Sequence, residues 1–95
     1  MTKRPIKSSN VFADLGFSPA EAENLRIRSA MMRTLVAHIR ENKLTQARAA
    51  KLMGITQPRV SDLMRGKIQL FSIDNLVTLL SAVGVRVQVR FNKAA

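Results

Sequence analysis

Gln57, Arg59, Ser61 and Asp62 crowd into one short stretch of the chain. A glutamine amide sets a donor beside an acceptor, which matches the edge of adenine. An arginine fork matches guanine in the same two-bonded way. Ser61 can reach a base edge or a phosphate. Asp62 accepts from cytosine N4 but repels phosphate, which favours base reading or helix capping over backbone contact. Around this group stand the cations Lys43, Arg65 and Lys67, each suited to a phosphate. Thr45 and Gln46 sit where a helix would begin, and a helix N-terminus holds phosphate with its amides.

The charge of the whole chain agrees with that chemistry. Lys and Arg number 16 against 6 for Asp and Glu in 95 residues, a net charge of +10. Seven of these cations lie between Arg40 and Lys67, with only Glu41 and Asp62 against them, so half of the net charge falls on this segment. The imbalance calls for a polyanion, nucleic acid first and an anionic membrane surface second. No apolar run is long enough to span a bilayer, and the basic start (Lys3, Arg4, Lys7) lacks the apolar stretch of a signal peptide, so the expected compartment is the cytoplasm.

Enzyme chemistry finds no footing. There is no cysteine, which removes thiolate catalysis, disulfides and cysteine zinc sites. His38 is the single histidine, set among apolar neighbours, and the sequence supplies it with no nucleophile. No catalytic group, metal site or cofactor is expected. An RNA-binding module is the competing class. It needs exposed aromatic platforms, and the chain has four Phe with no Trp or Tyr.

The elements that must carry these residues are punctuated by caps. Ser18-Pro19-Ala20-Glu21 opens a long helix, from about Pro19 to Asn42, with Leu25, Met32, Leu35, Val36 and Ile39 on one face. Thr45 and Gly54 bracket a helix over Gln46–Met53. Thr56 caps another that runs from Gln57 to about Arg65, stopped by Gly66. Ser72 opens the last, Ile73 to Val83, stopped by Gly84. Ala50 is small enough for the two short helices to approach, and Gly54 supplies the left-handed backbone of their turn. Ala49, Met53, Ile55, Val60 and Leu63 should face the shared core. Val85, Val87, Val89 and Phe91 alternate with Arg86, Gln88 and Arg90, which reads as a β-strand. One strand cannot stand alone, so it should pair with Val11–Phe17 or with its copy in a second subunit.

The run Leu44-Thr45-Gln46-Ala47, Ala50, Gly54-Ile55-Thr56-Gln57 and Val60-Ser61-Asp62-Leu63-Met64-Arg65-Gly66-Lys67 resembles the Xre/Cro-repressor helix-turn-helix family, over about residues 35–83. The wider layout is similar to the HigA-type antitoxin branch, with a short Val11–Phe17 segment, a long first helix and a C-terminal strand. The sequence departs from the family at Arg48, where glutamate is common. The resemblance implies a mainly α, four- to five-helix domain with a C-terminal strand, divided as a basic arm and short apolar segment (1–17), a helical DNA-binding domain (18–84) and a strand with tail (85–95). It implies that the third helix enters the major groove, with base contacts from Gln57, Arg59, Ser61 and Asp62 and phosphate contacts from Lys43, Thr45, Gln46, Arg65 and Lys67. A homodimer on a palindromic operator is expected, and pairing of the alternating strand with its copy would join it through Val85, Val87, Val89 and Phe91. In the antitoxin case the protein would also neutralise a RelE/HigB-type toxin and repress its own operon. The alternative is a stand-alone phage- or plasmid-type repressor. The basic N-terminal arm is expected either to be solvated or to reach the minor groove.

Overall fold

The computed structural model describes residues 10–93. The arm cations Lys3, Arg4 and Lys7 lie outside the described residues. Five α-helices follow one another among the described residues: α1 (Val11–Asp14), α2 (Pro19–Glu41), α3 (Gln46–Met53), α4 (Gln57–Met64) and α5 (Ile73–Ala82), with a 3-10 turn at Ile68–Leu70 between the last two. Among the described residues, no helix is long and apolar enough to cross a membrane.

Side-chain caps start the helices at the expected places. Ser18, Thr45, Thr56 and Ser72 each accept a bond from the backbone N–H three residues on. Asn10 does the same for α1 by accepting from the N–H of Phe12 at 3.0 Å. That cap turns Val11–Asp14 into a helix, so this segment is not the strand partner envisaged for the C-terminus. Asn10 also donates to the carbonyl of Ala22 at 2.9 Å and so pins α1 to α2.

Helix α2 is the spine. Met31, Met32, Leu35 and Ile39 meet Ala49, Ala50 and Met53 of α3, Val60 and Leu63 of α4, and Phe71, Leu76, Leu79 and Leu80 in and before α5. All of these are buried. Arg28 on α2 donates from Nη1 to the carbonyls of Ile68 (3.1 Å) and Phe71 (3.3 Å), tying the 3-10 turn and Phe71 to the spine.

Helix α3 ends at Gly54, with φ +68° and the N–H of Ile55 bonded to Ala50 at 3.0 Å. A side chain at this φ would be strained, so glycine fixes the turn that sets α4 against α3. Helices α1, α2, α4 and α5 share this bond to the carbonyl five positions earlier and add a second one. The second residue past each helix cap bonds back to the carbonyl five positions earlier, as in Leu44 to Ile39 and Lys67 to Asp62, and the first bonds to the carbonyl three back. The residue with positive φ in these four ends is Gly16, Lys43, Gly66 and Gly84. Lys43, at φ +53°, is the one that is not glycine.

The expected C-terminal strand does not form among the described residues. Residues 85–93 carry no regular structure. Val85 closes the end of α5, its N–H bonded to Leu80 at 2.9 Å and its side chain packed on the core. Beyond it Val87, Val89 and Phe91 are exposed, Phe91 to 90%. Alternation along the chain determines which side chains share a face. A ladder also needs a partner strand, and none lies within the described chain.

Candidate nucleic-acid interface

Helix α4 buries Val60 and Leu63 against the core. At 100° per residue, Pro58, Asp62 and Arg65 then fall on the opposite side, with Ser61 beside them. Gln57 and Pro58 are exposed in the first turn, and Arg65 is exposed at the C-cap. Ser61 and Asp62 are half-buried. Of the predicted base contacts, Ser61 and Asp62 lie on or beside this outward face, Gln57 stands at its flank in the first turn, and Arg59 lies off it. Pro58 belongs to that face as well. It stands in the first turn of the helix and offers apolar surface of the kind that meets a thymine methyl.

Arg59 behaves differently from the other predicted contacts. It lies 70° or so around the helix from the buried face, and its side chain turns toward α5. Nη2 donates to Oδ1 of Asn75 at 3.1 Å. The guanidinium carbon sits 4.3 Å from the centre of the Phe71 ring, a cation–π contact. Asn75 and Phe71 were not singled out by sequence reasoning. They stand 16 and 12 residues away from Arg59, Asn75 in the first turn of α5 and Phe71 just before it.

Two predicted contacts answer each other. Nζ of Lys67 lies 3.2 Å from Oδ1 of Asp62. The carboxylate expected to face a base or a cap instead holds a lysine expected to face phosphate, so the pair presents little net charge.

The remaining predicted phosphate contacts are exposed. Gln46 is the first residue of α3, and Thr45 is its cap, with Oγ1 accepting from the N–H of Arg48 at 3.0 Å. Capping occupies the hydroxyl as an acceptor and leaves its O–H to donate. Lys43 and Arg65 are exposed cations at the C-terminal ends of α2 and α4. Helices α3 and α4 thus present two capped N-termini, an outward polar face and flanking cations.

Comparison with known proteins bears on the family and the fold. A family model described as a helix-turn-helix domain matches residues 11–92. A solved structure named as an XRE family transcriptional regulator is 36% identical, with a TM-score of 0.72, covering 78% of this chain and 83% of that one. No curated protein sequence gives a significant match.

Proposed function

Because the chain belongs to the helix-turn-helix domain family, within the XRE type of transcriptional regulator, we propose that it reads operator DNA by laying the N-terminal half of α4 in the major groove. The observation that carries this is the outward face of α4, where Gln57, Pro58 and Arg65 are exposed while Val60 and Leu63 lock the helix to the core. Gln57 pairs with adenine and Arg59 with guanine, Ser61 supports them, and Lys43, Thr45, Gln46 and Arg65 grip phosphates. The Asp62–Lys67 pair lies at the edge of the reading face. Repression follows from occluding the promoter.

A homodimer on a palindrome is the second part of the reading. What supports it is the exposed run of Val87, Val89 and Phe91, an apolar edge that a second copy could complete as a two-stranded ladder. One experiment addresses both parts. Duplexes selected on the full-length protein from a randomised pool should show two inverted half-sites about one helical turn apart. Gln57→Ala should relax one base pair per half-site at a cost of about 1–3 kcal/mol. A chain ending at Gly84 should sediment as a monomer and select single half-sites. An unchanged preference in Gln57→Ala removes that residue as a reader, and a folded dimer ending at Gly84 removes the C-terminal contact.

The antitoxin role rests on a separate surface. Val11, Leu15 and Phe17 are exposed on and after α1, an apolar face that a RelE/HigB-type toxin could cover. The expected result is co-purification of the product of an adjacent small reading frame, lost in Leu15→Glu. If the adjacent frame yields no such partner, the stand-alone repressor is the better reading.

A further inference from the structure

We infer that Asn75 and Phe71, both outside the two helices of the reading motif, are positioning residues for Arg59 and so help set which base it selects. The inference rests on α4 being the reading helix.

A free arginine has several rotatable bonds, and it must give up that freedom to place a fork on a base edge. Here much of it is lost beforehand. Phe71 is 1% exposed, so the ring beneath the guanidinium is part of the core and cannot swing away. The backbone of Phe71 is held by Arg28 from α2. The backbone of Asn75 is fixed as well, because its main-chain N–H is bonded at 3.1 Å to Oγ of Ser72, the cap of α5. At the other end, the N–H of Arg59 is bonded to Oγ1 of Thr56 at 3.3 Å. The arginine is therefore held at its backbone, across its face and at one nitrogen.

This hold leaves the reading edge open. A ring contact covers one face of the guanidinium and none of the N–H bonds, which lie in its plane. Asn75 takes one of the five N–H donors. Since the guanidinium has only donors, Asn75 must turn its oxygen toward it and its NH2 away. The geometry favours a neutral amide here: an aspartate would also hold Arg59, but it would bring a second negative charge toward the phosphates.

The test is a cycle of Asn75→Ala, Arg59→Ala and the double variant, measured on the duplex that the wild-type protein selects, on single-base-pair replacements of it, and on a mixed-sequence duplex. Asn75→Ala should lower discrimination at one base pair about tenfold. Affinity for the mixed-sequence duplex should stay the same. The substitution should add nothing in the Arg59→Ala background. Equal weakening on every duplex, a loss that persists without Arg59, or no change at all would each overturn the proposal. A readout without DNA separates its failure from that of the function. In the free protein, ring current from Phe71 should shift the Arg59 δ-methylene protons upfield, and Asn75→Ala should reduce the shift. Random-coil shifts for Arg59 in the wild type would sink the positioning idea whatever DNA the protein binds. If the shift is present but no duplex sequence is preferred, the hold on Arg59 stands, while the function, and base selection with it, falls.

Discussion

Replacing Phe71 with alanine is expected to destabilise the protein by about 3–5 kcal/mol, the range for removing a buried aromatic ring. A small domain has about 5–15 kcal/mol in all, so a chemical-denaturation midpoint should fall steeply. The site explains the size of the loss. Phe71 belongs to the buried cluster that joins α2 to α5, and truncation leaves a hole at a position pinned from both sides. The same ring carries the guanidinium of Arg59 on its face. Phe71→Leu refills most of the hole without restoring the ring, so it should stay folded and lose base selectivity. A Phe71→Ala protein as stable as wild type would mean that the ring is not where the core closes.

The second large effect concerns salt. Binding should weaken by about 10³–10⁵ between 50 and 200 mM salt, if a dimer neutralises six to ten phosphates in all. The candidates differ in an instructive way. Lys43 and Arg65 are exposed cations that form no ion pair among the described residues, so each should lower the salt slope by about one per phosphate when changed to alanine. Lys67 already faces Asp62, so its removal should lower the slope by less. Titrations of the three variants at several salt concentrations measure this. Equal slopes for all three would show that the Asp62 pair opens fully on DNA, and an affinity independent of salt would contradict phosphate contact altogether.

Much of this arrangement was legible because helix ends are written in single residues. Ser18, Thr45, Thr56 and Ser72 cap where they were expected to, and the ends of α2, α4 and α5 fall one residue short of the expected bounds. The outward side of α4 was legible too, since burial of Val60 and Leu63 dictates what points away. Three things were not. The helix of Val11–Asp14 is a single turn, too short to show a period, and it depends on Asn10, which looked like part of an arm. The contacts of Arg59 join residues 12 and 16 apart through a loop, and no local pattern encodes them. The C-terminal alternation is a true property of Val85–Phe91, but pairing belongs to two segments and the sequence displays one.

Lys43 shows where two selective pressures diverge. The same turn geometry is filled by glycine at three other helix ends, and here by a lysine held at φ +53°. A left-handed lysine costs about 1–2 kcal/mol against glycine. Lys43→Gly should relieve that strain, offset in part by the freedom that glycine gives the unfolded chain, and it deletes a cation beside the N-terminus of α3. A laboratory search for heat-resistant variants would drift toward that change and away from tight binding. A search for tight binders would keep the strain. If Lys43 meets phosphate as proposed, the lysine marks a trade between endurance and grip at one backbone angle.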